Sequence, residues 1–205
     1  AVSRHLNPAG NRPGEATARG VLAGMRAARR HLDATHDLAG QTVRVQGMGS
    51  VGAALSACLT DAGAIIHFEE TDSDRAQDVA RRFAAATPAT KDQPADVFAP
   101  CASGPVIGTE LDSPRARIVC GSANDQLAQE SDAQRLHDQG VLWIPDFSVN
   151  AGAVIEGVLT VLHGADTDRV DLALAAIEDR VFAVLERSRH ERRSPFDVAR
   201  ELAQE

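Results

Sequence analysis

The stretch TVRVQGMGSVG, from Thr42 to Gly52, decides the fold. Its first half alternates like a short buried strand, and its glycines at 47, 49 and 52 form the pattern G-x-G-x-x-G. A run of small and apolar residues of helical length follows, from Val51 to Leu59. A strand, a glycine turn and a helix in this order are the context in which the pattern indicates dinucleotide binding.

Each residue of the turn has an expected task. Gly47 permits the tight turn, Gly49 lets a pyrophosphate approach the backbone, and Gly52 lets the helix lie close to the strand. Ser50 and Val51 open the helix, whose free N–H groups and positive dipole end favour phosphate. The alternative is a glycine turn in an ordinary α/β protein that binds no nucleotide.

An acid completes the pattern at the end of the second strand. The segment from Gly63 to Phe68 is predicted to be that strand, and Glu69, Glu70 and Asp72 follow it. Glu70 lies about 20 residues beyond the glycines, where an acid bonds the ribose hydroxyls of NAD. Because Arg75 is the only cation nearby in sequence, we expect NAD rather than NADP.

Composition bounds the remaining possibilities. The 205 residues suffice for one domain, and the net charge of −8 argues against nucleic acid as a partner. No apolar run approaches the roughly 18 residues of a membrane span, and no signal peptide pattern is present. The three cysteines have no metal spacing, so no metal site is predicted, and we expect free thiols in a reducing cytoplasm.

The order of elements predicts an α/β fold with a doubly wound, mostly parallel sheet of the Rossmann type. We expect one NAD-binding domain over residues 1–205. It comprises an irregular leading segment and helix over 1–40, a Rossmann core over 41–150 and a helical tail over 151–205. Three polar turns leave the carboxyl ends of predicted strands, where ligands of such sheets bind. They begin at Cys101, Gly121 and Asp146.

Five stretches also match one family pattern in order. They are Thr17–Val21, Val45–Gly52, Phe98–Ala102, Gly121–Leu127 and Pro145–Gly152. Together they resemble the Glu/Leu/Phe/Val dehydrogenase family, and in particular its leucine and phenylalanine dehydrogenase branch. Order and spacing agree with that family from about Asn7 to the end of the chain.

The resemblance implies a function and a set of site residues. Family members convert L-amino acids to 2-oxo acids and ammonia, with hydride passing to the nicotinamide. Val154 and Gly157 would face the side chain of the small-molecule substrate. The residues implied to lie along the cofactor are Thr17, Gly49, Glu70, Cys101, Ala102, Asn124 and Asn150.

Two departures from the family pattern change what is expected of catalysis. The family's amino-terminal substrate domain, with its lysine pair and its aspartate, has no counterpart among these 205 residues. Lys91 lies in a polar loop and is expected to be remote from the site. Asp125 stands where the family has asparagine, so a negative charge replaces an amide donor. We therefore expect Asp125 to favour a cationic or neutral C=N substrate, and to act as a catalytic residue that delivers a proton to its nitrogen as hydride reaches carbon. Asp146 is either a proton donor or acceptor, or an acid that fixes a backbone turn.

Three hypotheses follow for function. The chain is the cofactor half of an NAD-dependent amino acid dehydrogenase, an imine reductase acting by itself, or a silent NAD-binding or scaffolding module. We do not expect the chain alone to deaminate common amino acids. An apolar stripe from Val170 to Leu185 is expected to be exposed, which favours a homo-oligomer or a separate substrate-domain chain as partner.

Overall fold

A computed structural model describes residues 13–108 and 114–205, so most of the predicted leading segment lies outside the described residues. Within these two ranges, the centre of the fold is a sheet of six strands that are all parallel. The strands are β1 (Thr42–Gln46), β2 (Ile65–Glu69), β3 (Thr87–Pro88), β4 (Ala95–Pro100), β5 (Ala116–Val119) and β6 (Leu142–Trp143). Their order across the sheet is β3-β2-β1-β4-β5-β6, which is the Rossmann order and confirms the predicted fold class.

Eight α-helices connect and cover these strands in the described ranges. They are α1 (Pro13–Asp33), α2 (Ser50–Asp61), α3 (Ser73–Arg82), α4 (Ser131–Asp138), α5 (Asp146–Val149), α6 (Gly152–Gly157), α7 (Thr167–Glu191) and α8 (Pro195–Leu202). A π-helical turn, Val158–Leu162, continues α6. None of the helices in these ranges combines the length and apolarity of a membrane span.

The larger part of the core lies between the sheet, α1, α2 and α7. Val43 and Val45 of β1 are fully buried on this face, as their alternation predicts. The apolar stripe of α7 is buried as well, with Leu174, Ile177 and Leu185 each 3% exposed or less. The expectation that this stripe is exposed is therefore wrong, because the leading helix α1 packs against it within the same chain.

Three element boundaries differ from those predicted. Helix α3 ends at Arg82 rather than at Ala86, and the supposed loop after it contains β3. Strand β3 pairs with His67 and Phe68 at the sheet edge, where a proline costs no ladder bond to a further strand. The ladder of β6 holds only two residues instead of the five predicted from Val141 to Pro145.

The opposite face of the sheet contains a buried arginine. The Arg44 side chain is 0% exposed, and its guanidinium lies 4.2 Å from the centroid of the Phe98 ring. It forms an ion pair of 2.5 Å with Glu69 and donates to the carbonyl oxygens of Pro114, at 2.7 Å, and Lys91. Arg44 thereby ties the end of β2 to two neighbouring loops.

Candidate cofactor-binding site

The candidate site lies at the carboxyl edge of the sheet. The chain reverses its winding between β1 and β4, which are hydrogen-bonded neighbours in the centre. In open α/β sheets a crevice for ligands forms outside such a reversal point. The glycine turn after β1 and the turns after β4, β5 and β6 all emerge at this edge.

The glycine turn has the close packing that its sequence predicts. Gly47 has φ +85, a backbone conformation that residues with a Cβ rarely adopt. A Cβ on Gly52 would lie 2.0 Å from the Gly47 carbonyl oxygen, so only glycine fits there. A Cβ on Gly49 would meet nothing within 4 Å. The turn is therefore packed at 47 and 52, while Gly49 faces open space.

The open space at Gly49 adjoins the start of α2. Gly49 is the N-cap of this helix and supplies no side-chain hydrogen bond to it. The first helical backbone bond runs from the Ala53 N–H to the Gly49 carbonyl, at 3.0 Å. Ser50, Val51 and Gly52 therefore carry N–H groups without a helical partner, a geometry that suits a phosphate.

Glu70 holds the glycine turn to the end of β2. Its carboxylate accepts hydrogen bonds from the backbone N–H of Met48, at 2.9 Å, and of Asp72, at 3.0 Å. Arg75 pairs with the same carboxylate at 3.1 Å, and the Glu70 side chain is only 4% exposed. Burial acts to raise the pKa of Glu70, but the two N–H groups and Arg75 outweigh it and lower that pKa. Its bond to ribose stays a prediction.

A cleft of about 430 Å³ opens beside Glu70. Gly47, Glu69 and Ala102 line it together with Lys91. The expectation that Lys91 is remote from the site turns is therefore wrong, because the loop that carries it folds back over β2 and β1. Lys91 nevertheless lies on the glycine-turn side of the crevice, among the residues that follow β1, β2 and β4.

The turn after β4 carries Cys101 and Ala102 against the glycine turn. A Cβ on Gly47 would lie 2.8 Å from the Ala102 backbone nitrogen, so the two turns are in contact. Burial raises the pKa of the Cys101 thiol, although hydrogen bonding with Ser122 acts in the opposite direction. A thiol with a raised pKa is a poor nucleophile, so the environment favours a packing role.

Two asparagines meet where the turns after β5 and β6 converge. The Asn150 Nδ2 donates to the Asn124 Oδ1 at 2.8 Å. Gln126 anchors the first of these turns, because its side-chain nitrogen donates to the carbonyls of Gly121 and Ala123, each at 3.0 Å. The structure thus brings together two residues that lie 26 positions apart in sequence.

Asp125 and Asp146 form a pair of acids beside the asparagines. The Asp125 backbone N–H donates to the Asp146 carboxylate at 3.1 Å, and the Phe147 N–H donates to it at 2.9 Å. Asp125 is exposed and has φ 55, which is the left-handed backbone conformation. Burial raises the pKa of Asp146; the two N–H groups lower it, and the Asp125 charge raises it further. Asp146 therefore both fixes the turn and holds a proton more readily than an ordinary aspartate.

Helix α1 closes the other side of this region. A Cβ on Gly152 would lie 2.8 Å from the Thr17 backbone nitrogen, so the start of α6 touches the first turns of α1. Thr17 itself is buried, at 8% exposed. In α6, Val154 is 58% exposed, whereas Gly157 is buried. Of the two predicted substrate-facing residues, Val154 alone offers side-chain surface.

Several residues of the site were not singled out from the sequence. Lys91, which was expected to be remote, lines the cleft because the loop between β3 and β4 brings it there. The position of Gln126 directly after the polar turn that follows β5 indicates that it lies near the site. Position in sequence does not show, however, whether its amide is buried and holds the turn or is exposed on the surface. Among the residues described, no three His, Cys, Asp or Glu side chains form a metal-binding group.

Known proteins are similar to this chain in sequence. The family model for Glutamate/Leucine/Phenylalanine/Valine dehydrogenase matches residues 66–202. The chain belongs to this family. The valine dehydrogenase of Streptomyces albus is 35% identical over 197 residues, covering 92% of this chain and 54% of the relative. The leucine dehydrogenase of Bacillus cereus is 30% identical over 208 residues, covering all of this chain and 56% of the relative.

A solved structure extends the likeness to three dimensions. The L-tryptophan dehydrogenase from Nostoc punctiforme superposes with a TM-score of 0.87 at 31% identity, covering 95% of this chain and 61% of that protein. The resemblance inferred from five sequence stretches is therefore confirmed at the level of the family. The chain spans about half the length of the curated relatives it matches.

Proposed function

We propose that the chain is the cofactor-binding part of an NAD-dependent oxidoreductase that transfers hydride at a carbon–nitrogen bond. The observation that carries the proposal is the row of turns that emerges along the carboxyl edge of the sheet. At one end lies the open N-terminus of α2 beside Gly49, and at the other lies the Asn124–Asn150 pair. A dinucleotide bound across the edge of the sheet would place its pyrophosphate at the start of α2 and its nicotinamide near the two asparagines.

The residues of the crevice divide the binding among them. The N–H groups of Ser50 and Val51 would hold the pyrophosphate, and Glu70 the ribose next to the glycine turn. Cys101, Ala102 and Thr17 would line the way to the asparagines. The nicotinamide, when bound, supplies the hydride acceptor or donor.

Specificity for NAD over NADP is proposed from charge. Glu69 and Glu70 both lie at the end of β2, and each is paired with an arginine, Arg44 or Arg75. A 2′-phosphate would compete with Glu70 for Arg75 and would meet the Glu70 carboxylate as a like charge. The ribose hydroxyls of NAD can instead donate to that carboxylate.

The acids beside the asparagines support an altered substrate. An exposed carboxylate at Asp125 repels a substrate carboxylate and attracts a protonated imine. With a neutral imine, Asp146, whose pKa is raised, can deliver the proton that nitrogen needs as hydride reaches carbon, whereas a protonated imine needs hydride alone. We therefore propose a cationic or neutral imine as substrate, with Val154 against its apolar part.

A silent NAD-binding module is the second candidate. Lys91 is the only lysine of the sequence, and it lines the cleft on the glycine-turn side rather than the region of Asp125 and Asp146. Deamination by the relatives' mechanism therefore lacks its lysines among these 205 residues. The first proposal includes a homo-oligomer, or a separate chain that supplies such groups. It also includes a cytoplasmic location for the protein, since its three cysteines are free thiols.

A hydride-transfer assay separates the two candidates. The purified chain is incubated with NADH and either a cyclic imine without a carboxylate or a 2-oxo acid with ammonia, and NADH absorbance is followed. The proposal predicts oxidation of NADH with the imine and none above background with the 2-oxo acid. NADH binding without oxidation in either case would exclude an imine reductase that acts by itself, and would leave the silent module or a cofactor half that needs a second chain.

A further inference from the structure

A second cleft, of about 450 Å³, lies behind the site, between α5, α6, α7 and α8. Phe147, Ile155, Val181 and Leu202 contribute apolar surface from all four helices. Phe147 is 42% exposed and Leu202 37%, which leaves this apolar surface open. A volume of this size is typical of pockets for small molecules.

The cleft and the cofactor site share one short segment. Asp146 and Asn150 bond to the turn after β5, whereas Phe147, Ser148 and Ala151 line the cleft. A ligand in the cleft would therefore pack against one side of this segment, whose other side faces the proposed nicotinamide site. It would not compete with the cofactor.

Arg180 is a cation at the cleft that forms no ion pair with a carboxylate among the described residues. Arg180 lines it and donates only to the Ala173 carbonyl of its own helix, at 3.1 Å. By contrast, Arg187 and Arg189 of the same helix are each paired with glutamates. Within the described ranges no carboxylate pairs with Arg180, so an exposed guanidinium flanks an apolar cleft.

We propose that this cleft binds a small apolar monocarboxylate, with its hydrocarbon part against Phe147 and Leu202 and its carboxylate on Arg180. Arginine recognises carboxylates through paired N–H donors, and the apolar lining selects a ligand without further charge. The proposal concerns a site separate from the crevice and does not depend on the proposed function.

The protein contains a reporter for this cleft. Trp143 is the only tryptophan, and its ring lies 5.8 Å from that of Phe196 at the start of α8. Phe196 in turn lies 6.2 Å from Phe147 in the cleft wall. A ligand that moves Phe147 is therefore expected to change the fluorescence of Trp143.

The test titrates the chain with hexanoate and, separately, with hexanamide, which has the same apolar part without the charge. Tryptophan fluorescence and calorimetry follow binding. We expect saturable binding of hexanoate and at least about tenfold weaker binding of hexanamide. Arg180→Gln should reduce hexanoate to the level of the amide, and Arg169→Gln, which removes an arginine away from the cleft on the same helix, should leave it unchanged.

Three results would overturn the proposal. The first is absence of saturable hexanoate binding, and the second is equal affinity of the wild-type chain and Arg180→Gln. The third is a dimer in light scattering that Leu202→Glu converts to a monomer, since a second copy would then cover the cleft. Circular dichroism melting of each variant checks that the exposed substitutions leave the fold intact.

Discussion

The glycine turn offers a pair of substitutions that separates binding from folding. At Gly49 an added Cβ meets no atom within 4 Å, and the backbone there, φ −68 and ψ −162, is one that alanine adopts. At Gly52 the same Cβ lies 2.0 Å from the Gly47 carbonyl oxygen. Gly49→Ala should therefore fold normally, whereas Gly52→Ala should distort the contact between β1 and α2.

The magnitudes follow from these distances. Alanine in place of glycine at an N-cap costs about 0.5 to 1 kcal/mol, and the reduced freedom of the unfolded chain offsets about 0.4 to 1 kcal/mol. The net stability change for Gly49→Ala is thus within about 0.5 kcal/mol. Overpacking at Gly52 should cost about 1 to 3 kcal/mol or more. NADH affinity of Gly49→Ala should nevertheless fall at least about tenfold, or ~1.4 kcal/mol, because the new methyl group occupies the space proposed for the pyrophosphate.

Urea unfolding gives the stability of each variant, and titration calorimetry gives the affinity of the folded variant for NADH. Binding of NADH to Gly49→Ala as tight as to the wild-type chain would refute the proposed pyrophosphate position. If Gly52→Ala were as stable as the wild type, the short distance at Gly52 would have no structural consequence.

Two further predictions concern acids of the site. Asp125→Asn should improve binding of simple 2-oxo acids about fivefold, because it removes ~1 kcal/mol of charge repulsion at an exposed position. Asp138 is a surface acid on α4, so Asp138→Asn should leave the affinity unchanged in the same titration. Because the pKa of Glu70 is lowered by folding, its stabilising effect is complete above its ordinary pKa of 4.5 and is lost as the pH falls through the lower folded value. The difference in unfolding free energy between the wild-type chain and Glu70→Gln should therefore shrink below about pH 4.5 in urea titrations, and a difference that grows with acidity would contradict the assignment.

The sequence was sufficient where local pattern and fold agree. The strand, glycine turn and helix from Thr42 to Asp61 follow from alternation and glycine spacing, because the same residues set both the local geometry and the packing. The position of Glu70 followed as well, since it depends only on the length of one β-α-β unit. Its bonds to Met48 and Arg75 were not predicted, because they depend on side-chain placement.

The errors arose where distant segments decide the outcome. The apolar stripe of α7 indicates a buried face, but the pattern does not say which helix covers it, and α1 does so. Lys91 lies in a loop whose sequence is polar. Its carbonyl nevertheless accepts a hydrogen bond from the buried Arg44, and Lys91 lines the cleft. Strand β3 is two residues long and contains a proline, so no periodicity marks it.

The most direct test of the account is a paired titration of the wild-type chain with NADH and NADPH. The crevice, the open start of α2 and the acid at Glu70 together predict saturable binding of both at one site, with NADH the tighter ligand. Absence of saturable NADH binding would contradict the proposed cofactor site, and equal or tighter binding of NADPH would contradict the role given to Glu70.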